Sequence, residues 1–158
     1  MAEARSQAQW ALLAYRLPRE PSTPRITLWR RLRRLGAVQL VDGLVALPLD
    51  ARTREQLEWL AEVILEKGGE ASVWIGHLTE GANERALVER MADASAAEYR
   101  TVIDAAHAAR AKSVDRRTLE RLRRALRDIR SRDFFTPPER EQAEQAVEEL
   151  ATTVQAHT

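Results

Sequence analysis

Apolar and polar positions along this chain follow two rhythms, and the switches between them mark its organisation. Trp10 to Leu17 (WALLAYRL) is a short apolar run closed by Pro18, which reads as a buried strand. A proline-rich connector, PREPSTP, follows. Thr23 is placed to cap a helix whose first position is Pro24, where a missing N–H costs nothing, and the helix is predicted to run to Leu35 and stop at Gly36. Ala37–Val41 and Leu44–Pro48 are apolar segments divided by Asp42-Gly43, a dipeptide suited to a type I′ hairpin because both turn residues need positive φ. Thr53 and Gln56 have capping-box spacing, and Leu57, Leu60, Ala61, Ile64 and Leu65 recur at helical intervals up to Gly68-Gly69. Ala71–Leu78 (ASVWIGHL) is β-branched and aromatic and reads as a fourth strand.

The order strand, helix, strand, strand, helix, strand predicts an α+β fold: a ferredoxin-like βαββαβ domain over residues 10–78, with an antiparallel sheet and two helices on one face. Beyond Leu78 the helical rhythm takes over, and residues 83–156 are predicted as a C-terminal helical extension of about three helices. Asn83 is placed to cap the first, which carries Leu87, Val88, Met91, Tyr99, Val102, Ile103 and Ala106. A second, from about Asp115 to Arg130, repeats Leu119, Leu122, Leu126 and Ile129 at intervals of three and four. A third begins at Thr136, with Pro137 at its first position and Glu139 closing a capping box, and aligns Ala143, Ala146, Val147, Leu150 and Val154. These helices need a surface to cover: the sheet, one another, or a second protomer. Trp10, Trp29, Trp59 and Trp74 fall on strands or apolar helix faces, where core positions are expected.

Composition supports a folded, helix-rich chain: 44% of the 158 residues are hydrophobic and 31% charged, with six glycines and six prolines. The absence of cysteine excludes a disulfide framework, a thiolate metal site and a cysteine nucleophile, and fits a reducing compartment, so a cytoplasmic location is expected. The opening MAEARSQAQ lacks the basic and apolar regions of a secretory signal, and no run is long enough to span a bilayer, so no membrane association is expected.

Charge changes the picture more. The formal net charge is only +1, yet Arg16 to Gly36 holds seven arginines against Glu20, and Arg110 to Arg132 holds nine arginines and Lys112 against three acids. Acids gather elsewhere, notably between Glu139 and Glu149. Such segregation points to a polyanionic partner. On a 3.6-residue projection Arg30, Arg31, Arg33 and Arg34 share an arc of roughly 160°, with Leu28, Trp29, Leu32 and Leu35 opposite. A solvated face usually mixes signs to gain i,i+4 pairs, but no carboxylate appears between Arg25 and Gly36. The arc is therefore either the wet side of a helix or a face for phosphate or another acidic surface. In the second basic stretch Glu120 is expected to pair with Arg124, and Asp128 with Arg124 or Arg132. The candidate DNA-binding residues are Arg25, Arg30, Arg31, Arg33 and Arg34, and on the later helix Arg116, Arg117, Arg121 and Arg123. Catalytic chemistry finds little footing: His77, His107 and His157 are scattered, and there is no P-loop, G-x-G-x-x-G or G-x-S-x-G. No enzyme activity, metal or cofactor is expected.

The strings LLAYRLPREPSTPRITLWRRLRRLGAVQLVDGLVALP, TREQLEWLAEVILEKGGEASVW and RLRRALRDIRSRDFF resemble the N-terminal region of the ChrB family of chromate resistance proteins, over about Trp10 to Leu150. The part before Leu78 is also similar to the ferredoxin-like module of the phenylacetate-responsive repressors and of small CRISPR-associated nucleases. Those nucleases hold a metal with an acid at the end of the first strand. Here that strand ends Tyr15-Arg16-Leu17, so the nuclease reading loses its residue. The ChrB resemblance implies a chromate-responsive, DNA-binding transcriptional regulator of a chromate resistance operon, acting as a homodimer on its promoter, with chromate as effector. The alternative is a non-enzymatic interaction or dimerisation module of a larger resistance protein, whose basic helices meet acidic surfaces such as Glu139–Glu149 of a second protomer. The resemblance implies that most family members carry a further C-terminal domain, so the chain is expected to be either a fragment or a short member. No helix-turn-helix is evident. Because arginine binds tetrahedral dianions bidentately, Arg16 and Arg19, beside the first basic helix, are the candidate oxyanion ligands.

Overall fold

The elements run β1 (Trp10–Arg16), α1 (Thr23–Leu35), β2 (Val38–Val41), β3 (Leu44–Pro48), α2 (Ala51–Glu66), β4 (Glu70–Gly76), α3 (Gly81–Arg110), α4 (Arg116–Ser131) and α5 (Glu139–Ala156). Among the described residues this is an α+β fold with one four-stranded antiparallel sheet and five helices. The computed structural model describes residues 8–157; most of the N-terminal stretch read for targeting signals lies outside them. The chain divides into two units between Glu84 and Arg85.

In the first unit the strands are ordered β2-β3-β1-β4. Ala11 and Leu13 of β1 stand opposite Leu47 and Val45 of β3, and all four are buried on one face of the pleat. α2 packs across β1 and β4 and buries Leu57, Leu60, Ala61 and Ile64. Leu28 of α1 lines a cleft with Leu60 and Ile64. α1 ends where expected, with Gly36 left-handed at φ 83° and its N–H on the carbonyl of Arg33.

Several local predictions are corrected. Only Gly43 of the Asp42-Gly43 turn has positive φ, 77°, so the turn is not type I′; a register shift between Gln39 and Val41 takes up the difference. Gly43 is nonetheless required, since its N–H/C=O unit lies against β1: the Tyr15 N–H donates to the Gly43 carbonyl at 2.8 Å, and a Cβ on Gly43 would stand 2.5 Å from the Tyr15 oxygen. α2 is capped one turn earlier than read. The Asp50 carboxylate accepts from the Thr53 N–H at 2.7 Å while the Thr53 hydroxyl accepts from the Asp50 N–H at 2.9 Å. α3 starts at Gly81 rather than at Asn83. Trp10 is buried, but Trp29, Trp59 and Trp74 are 51%, 52% and 61% exposed, against the core positions expected.

The second unit packs its helices on one another. Tyr99, Val102 and Ala106 of α3 meet Leu119, Leu122, Leu126 and Ile129 of α4 and Ala143, Ala146, Val147 and Leu150 of α5 in one core. The Asp115 carboxylate caps α4 through the Thr118 N–H at 2.8 Å. Thr136 does not cap α5. It sits at φ 47°, and its N–H, with that of Phe135, goes to Asp133. The Asp133 side chain is fully buried and also accepts the Tyr99 hydroxyl at 2.8 Å, so one carboxylate organises the turn between α4 and α5. Burial and this hydrogen bond push the Tyr99 hydroxyl well above the usual tyrosine range.

Candidate nucleic-acid interface

The end of β1, the connector behind it, the first two turns of α1 and the β2–β3 turn enclose an open groove of about 940 Å³. Arg16 and Arg19, named from the sequence as oxyanion ligands, share it with Arg25 and Arg30, named for phosphate. Their sequence separation hides this convergence. The connector returns the chain so that the N-terminal end of α1, with no acid in its first turn, faces the end of β1. Asp42 is the one carboxylate among the lining residues. Tyr15 lies in the same groove, its hydroxyl raised above the ordinary value by burial, with Arg25 opposing and Asp42 reinforcing. Trp29 and Ile26, both about half exposed, form the apolar wall.

Arg16 is held by Glu70, its register partner on β4, at 2.6 Å. Both side chains are more than 70% exposed, so the pair is weak and readily exchanged for another anion. Among the described residues Arg19, Arg25 and Arg30 form no ion pair.

The remaining α1 arginines divide between the two flanks of the helix. Arg33 lies over the Trp29 indole, 4.8 Å from the ring centroid, and Arg31 over Trp59 of α2 at 4.6 Å. Arg31 and Arg34 belong to a second groove of about 490 Å³, shared with Arg52, Glu55 and Trp59. α1 thus presents a ridge of Arg30 and Arg34 with a tryptophan-walled groove on each side.

On α4, in the second unit, Arg116, Arg117 and Arg121 are exposed, and Arg117 lies close enough to Asp115 to help hold its carboxyl below the ordinary value, chiefly set by the Thr118 hydrogen bonds. Arg123 is paired with Glu120 at 3.2 Å, so Glu120 does not serve Arg124. Arg132 pairs with Glu98 rather than with the Asp128 carboxylate. Three of the five acids of α5 find partners inside the unit: Arg100–Glu139 at 3.4 Å, Arg110–Glu149 at 3.2 Å and Arg130–Glu144 at 3.7 Å. Among the described residues no group of three His, Asp or Glu side chains is placed to hold a metal, and no helix is long and apolar enough to cross a membrane.

Residues 25–116, from the basic helix to the start of α4, match the family described as Protein ChrB, N-terminal. The chain belongs to this family. Within the ChrB family the match includes Arg25, Arg30, Arg31, Arg33 and Arg34, while Arg16 and Arg19 precede it. The chain is also similar to the Protein ChrB of Cupriavidus metallidurans, 32% identical over 135 residues. That alignment covers 82% of this chain and 41% of the relative, so the chain spans less than half the length of this ChrB. No solved structure matches it.

Sequence reasoning missed the exposed tryptophans and Asp133. An indole beside an amphipathic stripe reads as core by pattern alone, and a single aspartate in a turn has no periodicity to betray it.

Proposed function

We propose that this chain is the nucleic-acid-contacting N-terminal part of a chromate-responsive transcriptional regulator, with no enzymatic activity of its own. It acts in the cytoplasm on the promoter of a chromate resistance operon, as a homodimer, with chromate as effector. Its first unit is the ferredoxin-like module anticipated from the sequence, a reading supported by the strand order β2-β3-β1-β4 with helices after β1 and β3.

The observation that carries this reading is the groove in which Arg16, Arg19, Arg25 and Arg30 converge with one carboxylate among its lining. Four guanidinium groups around a concave wall repel one another, and phosphate relieves that repulsion by charge-assisted, bidentate hydrogen bonds. A tetrahedral dianion such as chromate offers the same geometry, so effector and phosphate compete for one set of donors. The dimerisation-module alternative has less support, because three of the α5 glutamates it needs already face arginines of their own unit.

A mobility-shift titration of the operon's promoter at two salt concentrations, with and without chromate, tests the reading. Binding that weakens with salt and with chromate supports it. No shift even at low salt, from a chain that is a stable dimer, favours the interaction module instead.

A further inference from the structure

Tryptophan buries more apolar area than almost any side chain, about 150–250 Å² when fully packed. Two indoles left half exposed on adjacent helices therefore forgo a large stabilisation. Trp29 of α1 is 51% and Trp59 of α2 52% exposed. Each ring lies under an arginine of α1, Arg33 and Arg31 respectively, and each walls one of the two grooves flanking the Arg30/Arg34 ridge.

A regular duplex offers such rings little to stack on: its base faces are stacked on one another, and it presents chiefly phosphates and groove edges. A single strand exposes both phosphates and base faces, and stacks bases on aromatic side chains within a positively charged track. Resting on the nucleic-acid reading above, we propose that α1 and its flanking tryptophans form a platform for single-stranded nucleic acid. Backbone phosphates lie along Arg30 and Arg34, and bases stack on Trp29 on one side and Trp59 on the other. α1 with its side chains is about 10 Å across, so a short oligonucleotide reaches both grooves. The ring-stacked Arg31 and Arg33 hold the indoles in place and add charge where the backbone enters and leaves the ridge. Stacking distinguishes base faces little, so this binding has weak sequence preference and operates wherever the duplex is opened.

The test uses the full chain, fluorescently labelled oligo-dT of about 15 nucleotides, a length within the range covered by single-strand binding domains, and the labelled promoter duplex. Trp29→Leu and Trp59→Leu keep an apolar side chain but remove the π face; being surface changes, they leave the circular dichroism unaltered. The expected result is that wild type binds oligo-dT with quenching of tryptophan emission, and that each leucine variant weakens this about tenfold while Trp→Phe retains most of it. Duplex affinity stays within about twofold for the two Trp59 variants, since Trp59 lies outside the arginine groove, whereas Arg30→Ala with Arg34→Ala weakens both ligands. Oligo-dT binding that is unchanged by the leucine variants, or absent while the duplex binds, overturns the platform alone. Absence of binding to either ligand overturns it together with the nucleic-acid reading.

Discussion

Arg16 and Glu70 face each other across the β1–β4 ladder, Nη2 to Oε2 at 2.6 Å, at the rim of the arginine groove. The carboxylate occupies a guanidinium that the groove would otherwise turn toward an incoming anion. Replacing Glu70 with Gln removes the competitor while keeping the side chain's length. The expected outcome is an increase of a few-fold in affinity for promoter duplex at low salt, read by fluorescence anisotropy. Stability changes by no more than about 1 kcal/mol, because the pair is exposed.

The Asp133 side chain is fully buried and accepts from the Tyr99 hydroxyl and from the Phe135 and Thr136 N–H groups. Asp133→Ala leaves these donors without their acceptor and is expected to cost roughly 3 kcal/mol in urea unfolding. Tyr99→Phe removes one hydrogen bond and costs about 1 kcal/mol. The carboxylate, not the hydroxyl, is the keystone of this turn.

The same pair sets a pH dependence. The folded state raises the Tyr99 hydroxyl above its ordinary value of 10.0 by burial and by the Asp133 hydrogen bond, so it favours the protonated form. That stabilisation is fully present below pH 10 and is lost as pH rises toward the folded value. The thermal midpoint should therefore decline above about pH 10, and decline less in Tyr99→Phe. Asp115 acts at the other end of the scale. Its carboxyl is held below the ordinary value by Thr118, so its stabilising cap is present above that value and disappears as pH falls through the folded one. In Asp115→Asn, which retains a capping oxygen without the titration, the acid limb should be shallower.

Gly43 tests the geometry on which the groove depends. It is left-handed at φ 77°, and a Cβ there would meet the Tyr15 carbonyl oxygen at 2.5 Å. Gly43→Ala should destabilise the chain by about 1–3 kcal/mol, measured by denaturant unfolding, and weaken anion binding by displacing the turn that closes the groove.

Much of this arrangement is legible in the sequence. The Asp42-Gly43 hairpin, the amphipathic α2 and α4 and the Gly36 stop are local signals, written within a few residues and read from them. What sequence could not supply was set by distant contacts. The turn at Asp42-Gly43 departs from type I′ beside a register shift of β2 against β3, which the dipeptide does not announce. Trp29 projects roughly 60° from Leu32 on α1, at the edge of the apolar stripe, where only the neighbouring elements decide whether it is covered. Asp133 and Tyr99 are 34 residues apart. For the candidate site, the arginines were visible one by one, but their meeting in a groove depends on the return of the chain between Pro18 and Pro24.

That groove as a phosphate site is the central claim, and the salt dependence of promoter binding measures it most directly. Between about 50 and about 200 mM salt, log K for the wild-type chain should fall linearly with log salt. In Arg25→Ala/Arg30→Ala the affinity should drop and the slope become shallower by about 2, one unit for each phosphate contact removed. A double variant with the wild-type slope and affinity would contradict the account.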